Sequence, residues 1–350
     1  MDLALDILDE YVLDAVWAKV VPASAFAHTV NASSSIHKAP LNATTAYIPV
    51  AAVGSVSSTW SHLVSYLPHP PLTAQDLAEP TLSTLSSTSA WPRDYMLRQA
   101  LSLGAITMVG IFVLYFSFAY FAYTFIFNHE MMKHPRFLKN QVRKEIMCSM
   151  KAFPTMTLLT LPWFVAEVRG HSFLYENVSD YGWTYLVFSV MFYLLFTDYG
   201  IYWIHRWEHH PICYKWLHKP HHKWIIPSPW ASHAFHPLDG YLQSIPYHLF
   251  IFLFPLHKTL YLVLFVLINF WTILIHDSDM ITDHPLEKII NGPAHHTLHH
   301  LYFTVNYGQY FTFADRYYDS YRQPAKELDP MLEIKAIEEA KRKAALGKKE

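Results

Sequence analysis

The amino-acid sequence predicts an all-α integral membrane protein with about four to five transmembrane or re-entrant helices. Three observations carry that reading. Hydrophobic residues make up 52% of the 350-residue chain and charged residues only 15%, well under the roughly 25% usual in soluble domains. Glycine is scarce, at ten residues, which suits helices better than sheets with many tight turns. Aromatic residues reach 16%, many of them Trp and Tyr of the kind that line membrane interfaces. The formal net charge of −2 gives no bulk attraction for a nucleic acid. Cys148 and Cys213 supply neither a disulfide framework nor a Cys-x-x-Cys pair.

Taken in order, residues 1–21 place Asp2, Asp6, Asp9 and Glu10 ahead of any positive charge, the reverse of a secretory signal. The spacing of Leu3, Ile7, Val12 and Val16 predicts an amphipathic surface helix instead. Residues 22–89 are rich in Ala, Ser, Thr and Pro and read as a weakly ordered extension, so residues 1–93 form a first region. Residues 101–127 hold no charge and would form a helix of about 40 Å, enough to cross a core of roughly 30 Å. A basic loop follows, with Lys133, Arg136, Lys139, Arg143, Lys144 and Lys151. Residues 153–166 are apolar but short and contain Pro154 and Pro162, so they span only marginally. Residues 182–204 are interrupted by one charge, Asp198. Residues 240–256 and 259–275 form an apolar hairpin around His257 and Lys258. The membrane region is thus 94–322, and 323–350 is a charged tail whose last part reads as a solvated helix.

The basic loop should face the cytosol and the N-terminal region the lumen, because cytosolic loops carry the excess of Lys and Arg. The sequons at Asn31, Asn42 and Asn177 then fall in the lumen. The same count brings three histidine clusters to the cytosolic side. They read His205-x-x-x-His209-His210, His218-x-x-His221-His222 and His296-x-x-His299-His300, with His233, His236 and His276 between. Imidazole is the commonest neutral metal ligand, and offsets of three and four share a helical face. Pro220 is tolerated at a helix start but not in its interior, so a helix is expected to begin near it. One histidine alone is usually a satisfied core residue; three repeated clusters on one side of a membrane point to a metal centre. Asp198 lies two turns before His205, where a carboxylate accepting an imidazole N–H would serve a ligand. A simple interfacial role fits it equally well, and Asp239 and Asp277 are weaker candidates of the same kind. Zinc usually takes four ligands, often with cysteine among them, and haem takes one or two histidines. A nitrogen-rich set of this size suits non-haem iron that activates oxygen, and two ions better than one.

Longer stretches carry a resemblance. They are His205-Arg-Trp-Glu-His-His210, Leu217-His-Lys-Pro-His-His-Lys-Trp224, Ala231-Ser-His-Ala-Phe-His-Pro-Leu-Asp-Gly240 and Gln243-Ser-Ile-Pro-Tyr-His248. Ile275-His-Asp277, Asn291-Gly-Pro-Ala-His-His-Thr-Leu-His-His300 and Asn306-Tyr-Gly-Gln309 complete the set. Over roughly residues 94–322 the chain resembles the membrane fatty acid hydroxylase and sterol desaturase superfamily. The run from His233 to Gly240 points within it to the sterol C5-desaturase (lathosterol oxidase) branch, of fungal type. It departs at Glu208, a position often apolar in relatives.

That resemblance implies a di-iron centre that inserts the C5–C6 double bond into a Δ7-sterol, in ergosterol biosynthesis. Electrons come from NADH through cytochrome b5 and its reductase, O2 is reduced to water, and the enzyme resides in the endoplasmic reticulum membrane. By position, the implied metal ligands are His205, His209, His210, His218, His221, His222, His276, His296, His299 and His300. His233 and His236 either bind metal or shape the sterol pocket. A methylsterol oxidase or lipid hydroxylase would share every histidine cluster. A non-enzymatic sterol- or metal-binding protein is disfavoured by the completeness of the clusters.

Overall fold

The structure, a computed structural model, describes residues 1–26, 59–70 and 88–346. The sequons at Asn31 and Asn42 and most of the Ser- and Thr-rich extension lie outside these. The chain divides into two compact units, Met1–Leu103 and Gly104–Glu350.

In the first unit α1 (Asp2–Leu8), a π turn (Asp9–Leu13) and α2 (Asp14–Val20) run on without a break. Ile7, Val12 and Val16 are exposed, while Leu5, Asp9 and Trp17 face inward. This corrects the expected apolar stripe. The cause is Arg98, a buried cation that pairs with Asp9 at 2.6 Å and with Asp14, and donates to Trp91 O at 3.0 Å. A buried charge must be paired, so Asp9 turns in and Asp14 lies half-buried beside it, while Asp6 and Glu10 stay exposed. Within the expected extension, α3 (Thr59–Val64) places Val64 in a small core with Trp17, Val21, Phe26, Ala90 and Trp91. Sequence periodicity misses such a core because its members come from separate short segments.

Helix α4 (Met96–Phe125) has 30 residues, about 45 Å of length and ample for a crossing. In the second unit, α5 (Gln141–Ala166) replaces the short stretch expected at 153–166. Its first turns read as polar loop in the sequence, yet Gln141 and Glu145 are buried. Gln141 bonds Ile226 O at 2.7 Å, and Glu145 accepts from the Ser228 amide and hydroxyl. Three of the six basic residues expected in the loop, Arg143, Lys144 and Lys151, therefore lie on the helix.

Helix α6 (Gly182–Glu208) is the second helix long and apolar enough to span a membrane. Val187, Phe188, Met191 and Leu195 point outward, while Ser189, Thr197, Asp198, His205 and Glu208 are buried. Apolar outside and polar inside is the pattern of a helix solvated by lipid rather than water. A four-residue helix, α7 (Pro211–Tyr214), follows. Then α8 (Pro237–Leu253) and α9 (Lys258–Leu274) form the expected hairpin. Each has 17 residues, about 25 Å, short of a full core of roughly 30 Å. The hairpin tip is tied down by β2 (Leu256–His257), which pairs in parallel with β1 (Leu174–Tyr175). Helix α8 packs between α6 and α5. A Cβ on Gly200 of α6 would stand 2.8 Å from the Pro246 ring of α8, so only glycine permits this approach.

Helix α10 (Pro293–Tyr302) opens with proline at its first position, where the missing N–H costs nothing. After α11 (Phe313–Tyr317), the charged tail forms α12 (Met331–Leu346). It is largely exposed, as expected, but Ile334 inserts among Phe127, Met131 and Ile226.

Candidate metal centre

Among the described residues nine imidazoles converge in two groups, all buried but the half-buried His209. His205, His209, His218, His222 and His299 form one, and His221, His276, His296 and His300 the other. His205 is one turn from the end of α6, and His209 caps that end. His276 follows α9, and His296, His299 and His300 project from α10. The second cluster differs from expectation. No helix begins near Pro220; residues 215–223 are successive turns in which the amides of His221 and His222 both return to His218 O, at 3.0 and 3.3 Å. Proline lacks the N–H that a continued helix needs, and tight turns satisfy the remaining amides. The five-histidine group draws on all three clusters, and the four-histidine group on the second and third together with His276, since His221 separates from His218 and His222, and His299 from His296 and His300.

The close approaches are all Nε2 to Nε2. In the five-histidine group His205–His218 is 3.0 Å, His209–His222 3.0 Å and His209–His299 3.2 Å. In the other, His276–His296 is 3.0 Å, His296–His300 3.2 Å and His221–His276 3.3 Å. Nitrogens bound to one ion at about 2.1 Å stand roughly 3.0 Å apart at octahedral right angles and about 3.4 Å apart in a tetrahedron. The spacing therefore matches shared coordination.

The outer nitrogens fix which way the lone pairs point. Nδ1 of His205 donates to Tyr307 O at 3.0 Å, of His299 to Val305 O at 2.7 Å, and of His276 to Thr272 O at 2.6 Å. Nδ1 of His218 donates to the Asp239 carboxylate at 2.8 Å. A neutral imidazole has one N–H, so the Nε2 atoms of these four carry lone pairs. Lone pairs facing each other in a buried site need a cation between them. Burial, reinforced by the surrounding imidazoles, holds His221, His222, His296, His299 and His300 well below the ordinary imidazole pKa. The set is nitrogen-only and split five and four, so each group would leave open positions on a six-coordinate ion that it held.

The remaining expected residues lie elsewhere. His210 is exposed and caps α7, its Nδ1 accepting from the Ile212 amide; His236 caps α8 in the same way through the Leu238 amide. His284 repeats the arrangement ahead of Pro285. All three are His-Pro pairs, although neither His69-Pro70 nor His134-Pro135 places its proline in a helix. His233 is buried between Ser232 Oγ at 3.0 Å and Asn269 Oδ1 at 3.3 Å, with its ring against Tyr115 and Phe153, outside both groups. Asp198 touches no imidazole. Its Oδ1 accepts the amides of Gln309, Tyr310 and Phe311 at 2.9, 2.6 and 3.3 Å. Asp315 accepts those of Tyr307 and Gly308, both at 2.8 Å. Together they pin the loop that offers Tyr307 O to His205. Asp277 caps its own turn by accepting the Asp279 amide at 2.9 Å. Sequence reasoning missed Asp315, which carries no local signal. It ranked Asp239, the carboxylate that does meet a histidine, below Asp198.

Comparison with known proteins agrees with this geometry. The fatty acid hydroxylase family profile matches residues 190–320, which contain every histidine of both groups. A Delta(7)-sterol 5(6)-desaturase of Gibberella zeae is 56% identical over 257 residues, covering 73% of this chain and 80% of that protein. One of Aspergillus fumigatus is 53% identical over 274 residues, covering 73% and 86%. Human lathosterol oxidase is 50% identical over 263 residues, covering 74% and 88%. No solved structure matches.

Proposed function

The chain belongs to the Delta(7)-sterol 5(6)-desaturase and lathosterol oxidase family, and from that premise we propose that its nine histidines hold two iron ions. It is an oxidoreductase of sterol biosynthesis that places a double bond between C5 and C6 of a Δ7-sterol. The observation supporting a metal centre is the convergence of five and four Nε2 atoms whose spacing suits a common ion. Two irons held there supply the reduction of O2 to two waters, half the electrons coming from the sterol C–H bonds and half from a reduced donor.

The protein's own contribution is orientation and exclusion. Backbone carbonyls of Tyr307, Val305 and Thr272 hold the ligand rings so that no lone pair must be turned during turnover. Burial of the imidazoles keeps bulk water from a site that handles reactive oxygen. The donor is cytochrome b5, reduced from NADH by its reductase, in the ergosterol branch of sterol synthesis. The membrane is that of the endoplasmic reticulum, with the cluster on the cytosolic side and residues 1–93 on the lumenal side. The Lys and Arg residues between α4 and the apolar part of α5 support this orientation, with α5 returning the chain to the lumen before α6.

The test is complementation. Cells lacking their own C5-desaturase and expressing this chain should convert accumulated Δ7-sterols to Δ5,7-sterols. Continued accumulation with the protein present in membranes, or the appearance of C5- or C6-hydroxylated sterols instead, would overturn the reading.

A further inference from the structure

Next to the five-histidine group lies a second buried constellation. Glu208 is the last residue of α6, and Asp239 and Gln243 are four apart on the first turns of α8, so they share a face. Glu208 and Asp239 are wholly buried. The Gln243 side-chain amide lies between them, its Nε2 donating to Glu208 Oε2 at 2.9 Å and to Asp239 Oδ1 at 2.7 Å. An amide nitrogen carries two hydrogens, so both are spent on these bonds. Asp239 is left with Oδ2, which lies 2.8 Å from His218 Nδ1. Glu208 Oε2 stands 3.8 Å from that same nitrogen, and Glu208 Oε1 is buried with no partner. Asp239 alone is at hydrogen-bonding distance from the imidazole N–H, Glu208 stands just beyond it, and the glutamine amide binds both carboxylates.

We propose that Gln243 is a positioning residue of the metal centre: by tethering Glu208 and turning Asp239, it fixes the carboxylate that orients His218. The inference rests on the nine histidines being a metal centre. Without the amide, Glu208 is released toward His218 and Asp239 loses the bond that sets its rotamer. The ring is then pulled between two acceptors, and its Nε2 lone pair leaves the axis it shares with His205. The four-histidine group contains neither His218 nor its partners, so the effect is confined to one site.

The experiment is a titration of the purified full-length chain in nanodiscs with cobalt(II), followed by absorption and by equilibrium metal content. The unaltered chain should bind two ions. Gln243→Leu should bind one with unchanged affinity and the other about 10- to 100-fold more weakly, the usual cost of losing a group that orients a ligand. Removing the competing carboxylate as well, in Gln243→Leu with Glu208→Leu, should recover most of that loss. If Gln243→Leu does not accumulate, Gln243→Met keeps the length without the N–H groups and should give the same result. Unchanged binding at both sites, equal weakening of both, or a double variant no better than the single one overturns the proposal. Failure of the unaltered chain to bind cobalt overturns the metal reading itself, and this inference with it; two ions bound with no effect of Gln243 sinks the positioning claim alone.

Discussion

His205 and His218 meet Nε2 to Nε2 at 3.0 Å, while the outer nitrogen of each donates elsewhere, to Tyr307 O and to Asp239. Neither ring has a second hydrogen to place between them without becoming charged in a fully buried site. The pair is unfavourable as two neutral side chains and favourable as two ligands of one cation. They lie thirteen positions apart in sequence, across the helix end and turns, and the contact holds the end of α6 against the turn that follows it.

Metal analysis of the purified protein should therefore give close to two ions per chain. Two groups of five and four imidazoles exceed what one four- to six-coordinate ion can use. A reproducible ratio of one with full activity would show that one group is structural.

Replacing His299 with Ala should lower C5-desaturation at least about 100-fold, the upper range even for losses outside the ligands themselves. His210→Ala should stay within about twofold of normal, because His210 only caps an exposed helix. Both are read from sterol composition at matched protein level. Comparable losses in the two variants would return His210 to the ligand set.

Asp198→Ala should destabilise the protein although no imidazole touches it. It strips three amides of the 309–311 loop of their acceptor, at about 1–3 kcal/mol for each buried donor left without one. A fall in the detergent-solubilised melting temperature with accompanying loss of metal is expected, and Asp198→Asn, which keeps an acceptor oxygen, should be milder. An unchanged melting temperature for Asp198→Ala would remove its role as the pin of this loop.

The proposed orientation predicts glycosylation at Asn31 or Asn42 and digestion of a tag placed after Glu350 when sealed microsomes are treated with protease. A protected C-terminal tag would reverse the topology, and with it the access of a cytosolic electron donor.

Much of the molecule is legible in the sequence. The charge-free run at 101–127 became α4, and the apolar pair around His257 and Lys258 became the α8–α9 hairpin. Helix α5 was only half legible, because Gln141 and Glu145 look like loop residues until Ile226 and Ser228 supply their partners. Among the candidate ligands, nine of the ten converge. The exception, His210, precedes a proline and caps a helix.

The sequence by itself determined the helical membrane architecture and the histidine inventory, because hydropathy and ligand spacing are properties of neighbours along the chain. It also determined the family, through motifs that lie within single segments. Only the tertiary structure decided how the clusters divide between two groups and which carboxylate serves them. His218 joins His205 while His221 joins His276, and Asp239 rather than Asp198 meets an imidazole. Those outcomes depend on the relative placement of α6, α8, α10 and the turns at 215–223. That placement is set by close packing such as Gly200 against Pro246, which involves residues far apart in the chain and leaves no periodic trace within it.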